Sequence, residues 1–173
     1  MKERPILFSG PMVKAIIEGR KSMTRRVAKE NFWSEANQEA VTFYCPYGQP
    51  GDRLWVRETW HCDNPAAAQD IMNPGLGCYY LATEEHPEIF TKWKPSIFMP
   101  RWASRITLEI VSLKVERLQE ITDEDAIKEG QPFSSANSPR IWFMTLWDSI
   151  NGKKYPWTSN PWIWVIEFKN IGG

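Results

Sequence analysis

Apolar residues at Met12, Val13, Ile16 and Ile17 recur at helical spacing, which predicts a helix with one buried face. Ser9-Gly10-Pro11 supplies its start, because proline fits the first helical position and serine or glycine the cap, and Gly19 stops it. Ile6 to Phe8 before it reads as a short strand. Arg20 to Val27 after it reads as extended, with Ser22, Thr24 and Arg26 on one side and Lys21, Met23 and Arg25 on the other. Lys21 and Thr24 can then share a site only if Lys21 lies in the turn or the strand is irregular there. Arg53 to Thr59 is expected to be a strand, with Leu54, Val56 and Glu58 on one face and Trp55, Arg57 and Thr59 on the other. Cys78 to Ala82 is expected to be a shorter one. The strongest alternation runs from Arg105 to Leu118. Ile106, Leu108 and Ile110 alternate, then Val111, Leu113 and Val115 continue in the opposite phase, so a bulge or bend is expected at Ile110-Val111. Thr122-Asp123-Glu124-Asp125 opens a helix that ends at Gly130. Ser138-Pro139 opens another, ending at Asn151-Gly152, whose Ile141, Trp142, Met144, Leu146, Trp147 and Ile150 are expected to be mostly buried. Trp162 to Phe168, apolar on both faces, predicts a central closing strand.

Between these segments lie polar or proline-broken stretches at about 28–50, 60–78 and 83–103, expected to be long loop insertions, the first with one short helix. Strands separated by long excursions predict one α+β domain over 1–173, a small, mostly antiparallel barrel flanked by helices.

Composition narrows the function. The formal charge is +0, so any nucleic-acid or membrane surface must be local. No apolar run reaches the length of a signal peptide or a membrane span, and Cys45, Cys62 and Cys78 cannot all pair in one chain, so a cytoplasmic protein without membrane association is expected. Those cysteines with His61 and His86 lack metal-ligand spacing, so no metal and no cofactor is expected.

The densest chemistry lies in Gly19-Arg20-Lys21-Ser22-Met23-Thr24-Arg25-Arg26. Such a cluster is either a solvated corner or a site for an anionic or hydrogen-bonding ligand, with Lys21 and Thr24 as its reactive members. Within it, Arg26 is expected to contact ligand, and Arg20 and Arg25 to lie at the surface. Arg20, Arg25, Arg26, Lys92, Lys94, Arg101 and Arg105 could line one phosphate-binding face, with Trp60, Trp93 or Trp102 stacking a base. Glu58 faces the same region and is more readily an arginine's partner than a catalyst.

Four of these segments resemble the ASCH domain family of PUA-like barrels. They are Ile17 to Arg26, the turn and strand Gly51-Asp52-Arg53-Leu54-Trp55-Val56-Arg57-Glu58, Leu118 to Gly130, and Val165-Ile166-Glu167-Phe168. The chain as a whole is similar to the longer members encoded by phages and prophages. The motifs also resemble those of bacterial acetylcytidine amidohydrolases, whose lysine, threonine and glutamate match Lys21, Thr24 and Glu129, with Arg26 matching an arginine in the same strand. The resemblance implies recognition of a modified nucleoside or RNA and hydrolysis of the acyl group on the exocyclic amine of a cytidine. Lys21, Thr24 and Glu129 would be catalytic, with Arg26, Arg25, Glu58 and Trp60 contacting substrate. A non-catalytic RNA-binding module, a ribonuclease-like protein, or a phage interaction or morphogenesis protein with a vestigial cleft are the alternatives.

Overall fold

A computed structural model describes residues 1–28, 42, 44–69, 77–90 and 92–172. In chain order the elements are β1 (Glu3–Leu7), α1 (Gly10–Ile17), β2 (Met23–Val27), β3 (Arg53–Arg57), β4 (Trp60–Cys62), α2 (Pro65–Ala68), β5 (Cys78–Tyr80), β6 (Thr107–Arg117), α3 (Asp123–Lys128), α4 (Pro139–Asn151) and β7 (Trp162–Gly172). Five strands form one sheet in the order β1-β3-β6-β7-β2. β1 runs parallel to β3 and the other pairings are antiparallel.

The phase flip in β6 is a register shift against β7 between Ile110 and Ser112, and it turns Val111 outward to half exposure. β7 lies inside the sheet and feeds both faces. Trp164, Ile166 and Phe168 join Val13 and Ile16 of α1 in one core. Ile163 and Val165 join Leu118, Ala126, Phe143 and Trp147 in the other, beneath α3 and α4. Burying each large side chain of this kind contributes about 1.5–3 kcal/mol.

Three expectations are revised. The α+β class is observed, but no closed barrel is shown, because the ladder ends at β1 and β2 among the described residues. Arg26 occupies the gap, its Nη2 donating to the Leu7 carbonyl of the opposite edge at 2.6 Å. In α4, Phe143 and Trp147, four apart, are the buried pair, whereas Ile141 and Ile150 are about half exposed. The stretch 60–78 is more than a loop: it holds β4 and α2, and β4 pairs with the expected strand from Cys78, β5, in a hairpin. The 83–103 stretch contains three 3-10 turns, Pro87–Ile89, Ser96–Phe98 and Arg101–Ala103. With the hairpin, its last two turns seal a third cluster of Trp60, Cys62, Met99 and Ala103. The short helix expected within 28–50 falls largely on 29–41 and 43, which lie outside the described residues. Among the described residues, no helix is long and apolar enough to cross a membrane.

Candidate functional site

The site begins where α1 stops. Gly19 takes a positive φ of 73°, and the amides of Arg20 and Lys21 both donate to the Ala15 carbonyl, at 2.9 and 3.0 Å. Lys21 therefore leaves a turn and precedes the regular strand β2. It is bridged in antiparallel fashion to Glu129, and the Ser22 amide donates to the Lys128 carbonyl at 2.9 Å. Glu129 has its own local cause. Thr122 Oγ1 accepts from the Asp125 amide at 3.1 Å and caps α3, and the helix ends on Glu129 with Gly130 at φ +101°.

Gly130 is required twice. Its φ suits glycine, and a Cβ there would sit 3.0 Å from Ala15 Cβ and 3.1 Å from Lys21 Cβ. Gly130→Ala is expected to destabilise the protein by about 1–3 kcal/mol, read as a lower urea midpoint. An unchanged midpoint would show that this turn does not hold Lys21 against α1.

The charges then interlock. Lys21 Nζ donates to Glu129 Oε2 at 2.7 Å and to the Glu129 carbonyl at 2.8 Å, with no side-chain exposure. Burial pushes the Lys21 ammonium below its ordinary value, Arg26 and Arg25 add to this, and Glu129 opposes it. Arg25 is not at the surface: its side chain is fully buried. Nη1 reaches Glu129 Oε1 at 3.2 Å, and Nη2 reaches Glu116 Oε1 at 2.8 Å and Asp125 Oδ2 at 2.6 Å. Burial disfavours its charge, but Glu129, Glu116 and Asp125 outweigh that and raise its pKa. Both carboxylate oxygens of Glu129 are thus held, one by Lys21 and one by Arg25.

Two adjoining cavities open beside Glu129. One, of about 290 Å³, is walled by Thr24, Arg26, Glu129, Tyr47, Phe143 and Tyr155. The other, of about 450 Å³, lies between α1 and α4, with Pro11, Ala15, Pro132 and Trp142 in its wall. They share Met12, Glu129, Leu146 and Ile150, so Ile150 faces the cavities while Leu146 is only partly buried against the core. Together they reach the size of small-ligand sites, about 300–1,000 Å³. Arg26 stacks over Phe8 at 5.1 Å, and its Nε is buried without an acceptor among the described residues. A buried charged donor in that condition costs free energy until something accepts from it.

Thr24 and Glu129 therefore share one wall. Lys21 sits behind Glu129, and no hydrogen bond joins it to Thr24 among the described residues. Glu58 and Trp60 are elsewhere. Glu58, 1% exposed, takes a bidentate pair from Arg105 at 2.9 and 3.0 Å. Trp60 is buried against Trp102, with Lys94 Nζ 4.6 Å from its ring centroid. Neither lines the two cavities. The expected single basic face is divided, because Arg101 pairs with Glu3 and Arg105 with Glu58, while Arg25 is internal. Glu116 and the aromatic wall are not singled out by the sequence, and Asp125 enters there only as an acid of the helix start. Asp125 and Glu129, four apart on one helix face, were the available signal.

No protein-family model and no curated protein matches the chain. Among solved structures it is similar to an ASCH domain from Lactobacillus crispatus JV V101, at 12% identity and a TM-score of 0.53, over 99% of this chain and 81% of that one. The chain has an ASCH-type fold. A hypothetical protein (10% identity, TM-score 0.49, 99% of this chain and 100% of that one) and a protein from Enterococcus faecalis V583 (6%, 0.48, 99% and 82%) are weaker likenesses and add nothing to that assignment. The resemblance seen in the sequence motifs thus extends to the three-dimensional fold, with Lys21 and Glu129 joined across the ends of α1 and α3 of the ASCH-type fold.

Proposed function

We propose that this cleft binds a nucleobase, nucleoside or RNA end and hydrolyses the acyl amide on the exocyclic amine of a modified cytidine. The observation that carries the reading is the meeting of Thr24, Arg26 and Glu129 on one aromatic-walled cavity, with a desolvated lysine held against Glu129. The motif resemblance supports the same residues. The whole chain, 1–173, would act as one domain in the cytoplasm.

The chemistry follows from the roles these groups can fill. Thr24 Oγ attacks the acyl carbon, and its proton passes to the Lys21–Glu129 pair, with Lys21 neutral beforehand. Glu129 is the member of that pair on the cavity wall, so it carries the proton between Lys21 and the reacting atoms. Arg26 Nε donates to a carbonyl oxygen of the ligand. The carbon–nitrogen bond breaks, the pair returns the proton to the leaving exocyclic amine, and cytidine departs. Water then cleaves the threonyl ester, restoring the Thr24 hydroxyl and releasing a carboxylic acid.

Purified protein is expected to release cytidine from N4-acetylcytidine or a longer N4-acyl homologue. Arg26→Ala should raise KM about 10- to 100-fold, the value of a hydrogen bond from a charged donor. The enclosure of Lys21 supports a second reading, a non-catalytic RNA-binding module. No turnover across the acyl series, with salt-sensitive RNA binding that persists in Thr24→Ala, would replace the first reading by the second.

A further inference from the structure

We propose that Cys62 and Cys78 form a modification site, closing to a reversible intrachain disulfide when a small-molecule disulfide oxidises them. The two cysteines are directly opposed in the β4–β5 hairpin. Asp63 and Gly77, the next opposed pair, are joined by a ladder bond from the Asp63 amide at 3.1 Å, and Thr59 accepts from the Leu81 amide at 3.0 Å at the other end. Ladder bonds alternate along an antiparallel pair, so Cys62 and Cys78 occupy a position without them. Trp60, two residues earlier and in the same phase, confirms this. Its amide and carbonyl both turn away from β5 to pair with Lys94, at 3.2 and 2.8 Å.

That phase matters because it brings opposed Cα atoms to about 4.5 Å, inside the range of about 4.4–6.8 Å that a disulfide spans. Opposed residues project to the same face, so the two side chains are cross-strand neighbours. Both cysteines are free. Cys62 belongs to the Trp60–Met99 cluster and Cys78 packs against it, whereas Cys45 is buried in the main core. Oxidation therefore has one pair to close.

The exchange balances with glutathione disulfide as oxidant. Cys78, the more exposed sulfur, attacks one glutathione sulfur as thiolate, forming a mixed disulfide and releasing the first glutathione. Cys62 then attacks the Cys78 sulfur and releases the second. Two electrons pass to the oxidant, and the two thiol protons end on the two glutathiones. Burial and the neighbouring Cys62 push the Cys78 thiol up to about 12, so closure is slow at neutral pH and accelerates as pH rises. The closed loop spans about 15 residues, and none of its described residues lines the two cavities.

The test is incubation of the full chain with glutathione disulfide at about pH 9, followed by peptide mapping without reductant. The expected result is a Cys62–Cys78 cross-link, Cys45 left as a free thiol, and a Tm raised by about 5–10 °C and restored by dithiothreitol. Cys62→Ser and Cys78→Ser, made separately, should each abolish the shift. Stable glutathione adducts on Cys78, linkage through Cys45 or between molecules, or a shift that survives in either serine variant would overturn the proposal.

Discussion

Replacing Arg25 by alanine is expected to cost about 3–5 kcal/mol of unfolding free energy, the penalty for breaking a fully buried ion pair from one side. The guanidinium has no side-chain exposure and contacts three carboxylates, from Glu116, Asp125 and Glu129. Without it these acids face one another, offset among the described residues by Lys21, Arg26 and the half-exposed Lys114. Arg25→Lys should recover little, because a single ammonium cannot present a planar fork to three acceptors. The loss also has a pH signature. Burial resists ionisation of Asp125, but the hydrogen bond and charge of Arg25, followed by Lys114, carry its pKa below the ordinary 3.8. A depressed carboxylate contributes stability above its unfolded pKa and loses it as pH falls through the folded one. The wild-type advantage over Arg25→Ala should therefore be full at neutral pH and shrink below about pH 3.8. Urea titrations at pH 7 and pH 3 measure both; a loss under about 1 kcal/mol at pH 7, or one independent of pH, would contradict this account.

Arg25 also marks the limit of what the sequence discloses. Helix boundaries were legible because they rest on local chemistry: Pro11 and Gly19 around α1, Thr122 and Gly130 around α3, Pro139 and Asn151 around α4. The bulge in β6 was legible as a change of phase, and the two-faced burial of β7 as its apolar run. The pairing of Lys21 with Glu129 was not. It depends on a turn that seats Lys21 on Ala15 and on a glycine that brings Glu129 to meet it, over 108 residues of separation. Alternation puts Arg25 in phase with Met23 and Val27, which pack on the core beneath α3 and α4, although Arg25 also lines the same cavity as Thr24. Yet a charge on the side facing α3 and α4 reads as exposed unless Glu116 and Asp125 are known to wait there. Glu58 and Trp60 fail to reach the cavities for the reverse reason. The insertion that carries Trp60 folds into its own cluster, and Arg105 claims Glu58. Strand spacing reads the same for a closed barrel and for an open sheet whose edge strands are linked through the Arg26 side chain.

The second large effect concerns Lys21. If the Lys21–Glu129 pair receives the Thr24 proton, Lys21→Met should lower kcat/KM on an N4-acyl cytidine by about 10²–10⁴, and Thr24→Ala by at least as much. The wild-type rate should rise with pH as Lys21 becomes neutral, at a midpoint below the ordinary 10.5, because burial disfavours its charge. The sign of a further shift follows from the opposing contribution. The charge and hydrogen bond of Glu129 hold the proton on Lys21, so Glu129→Gln should move the alkaline limb to lower pH even as it lowers the maximum rate. Stability moves in the same sense. A lysine whose folded pKa is depressed weighs most heavily below that pKa, and its penalty is relieved as pH rises from the folded value to 10.5. Acting instead only as a structural tie, Lys21 would leave the pH limb of Glu129→Gln where the wild-type limb lies. The shift of that limb, rather than the loss of rate, therefore separates a proton acceptor from a strut.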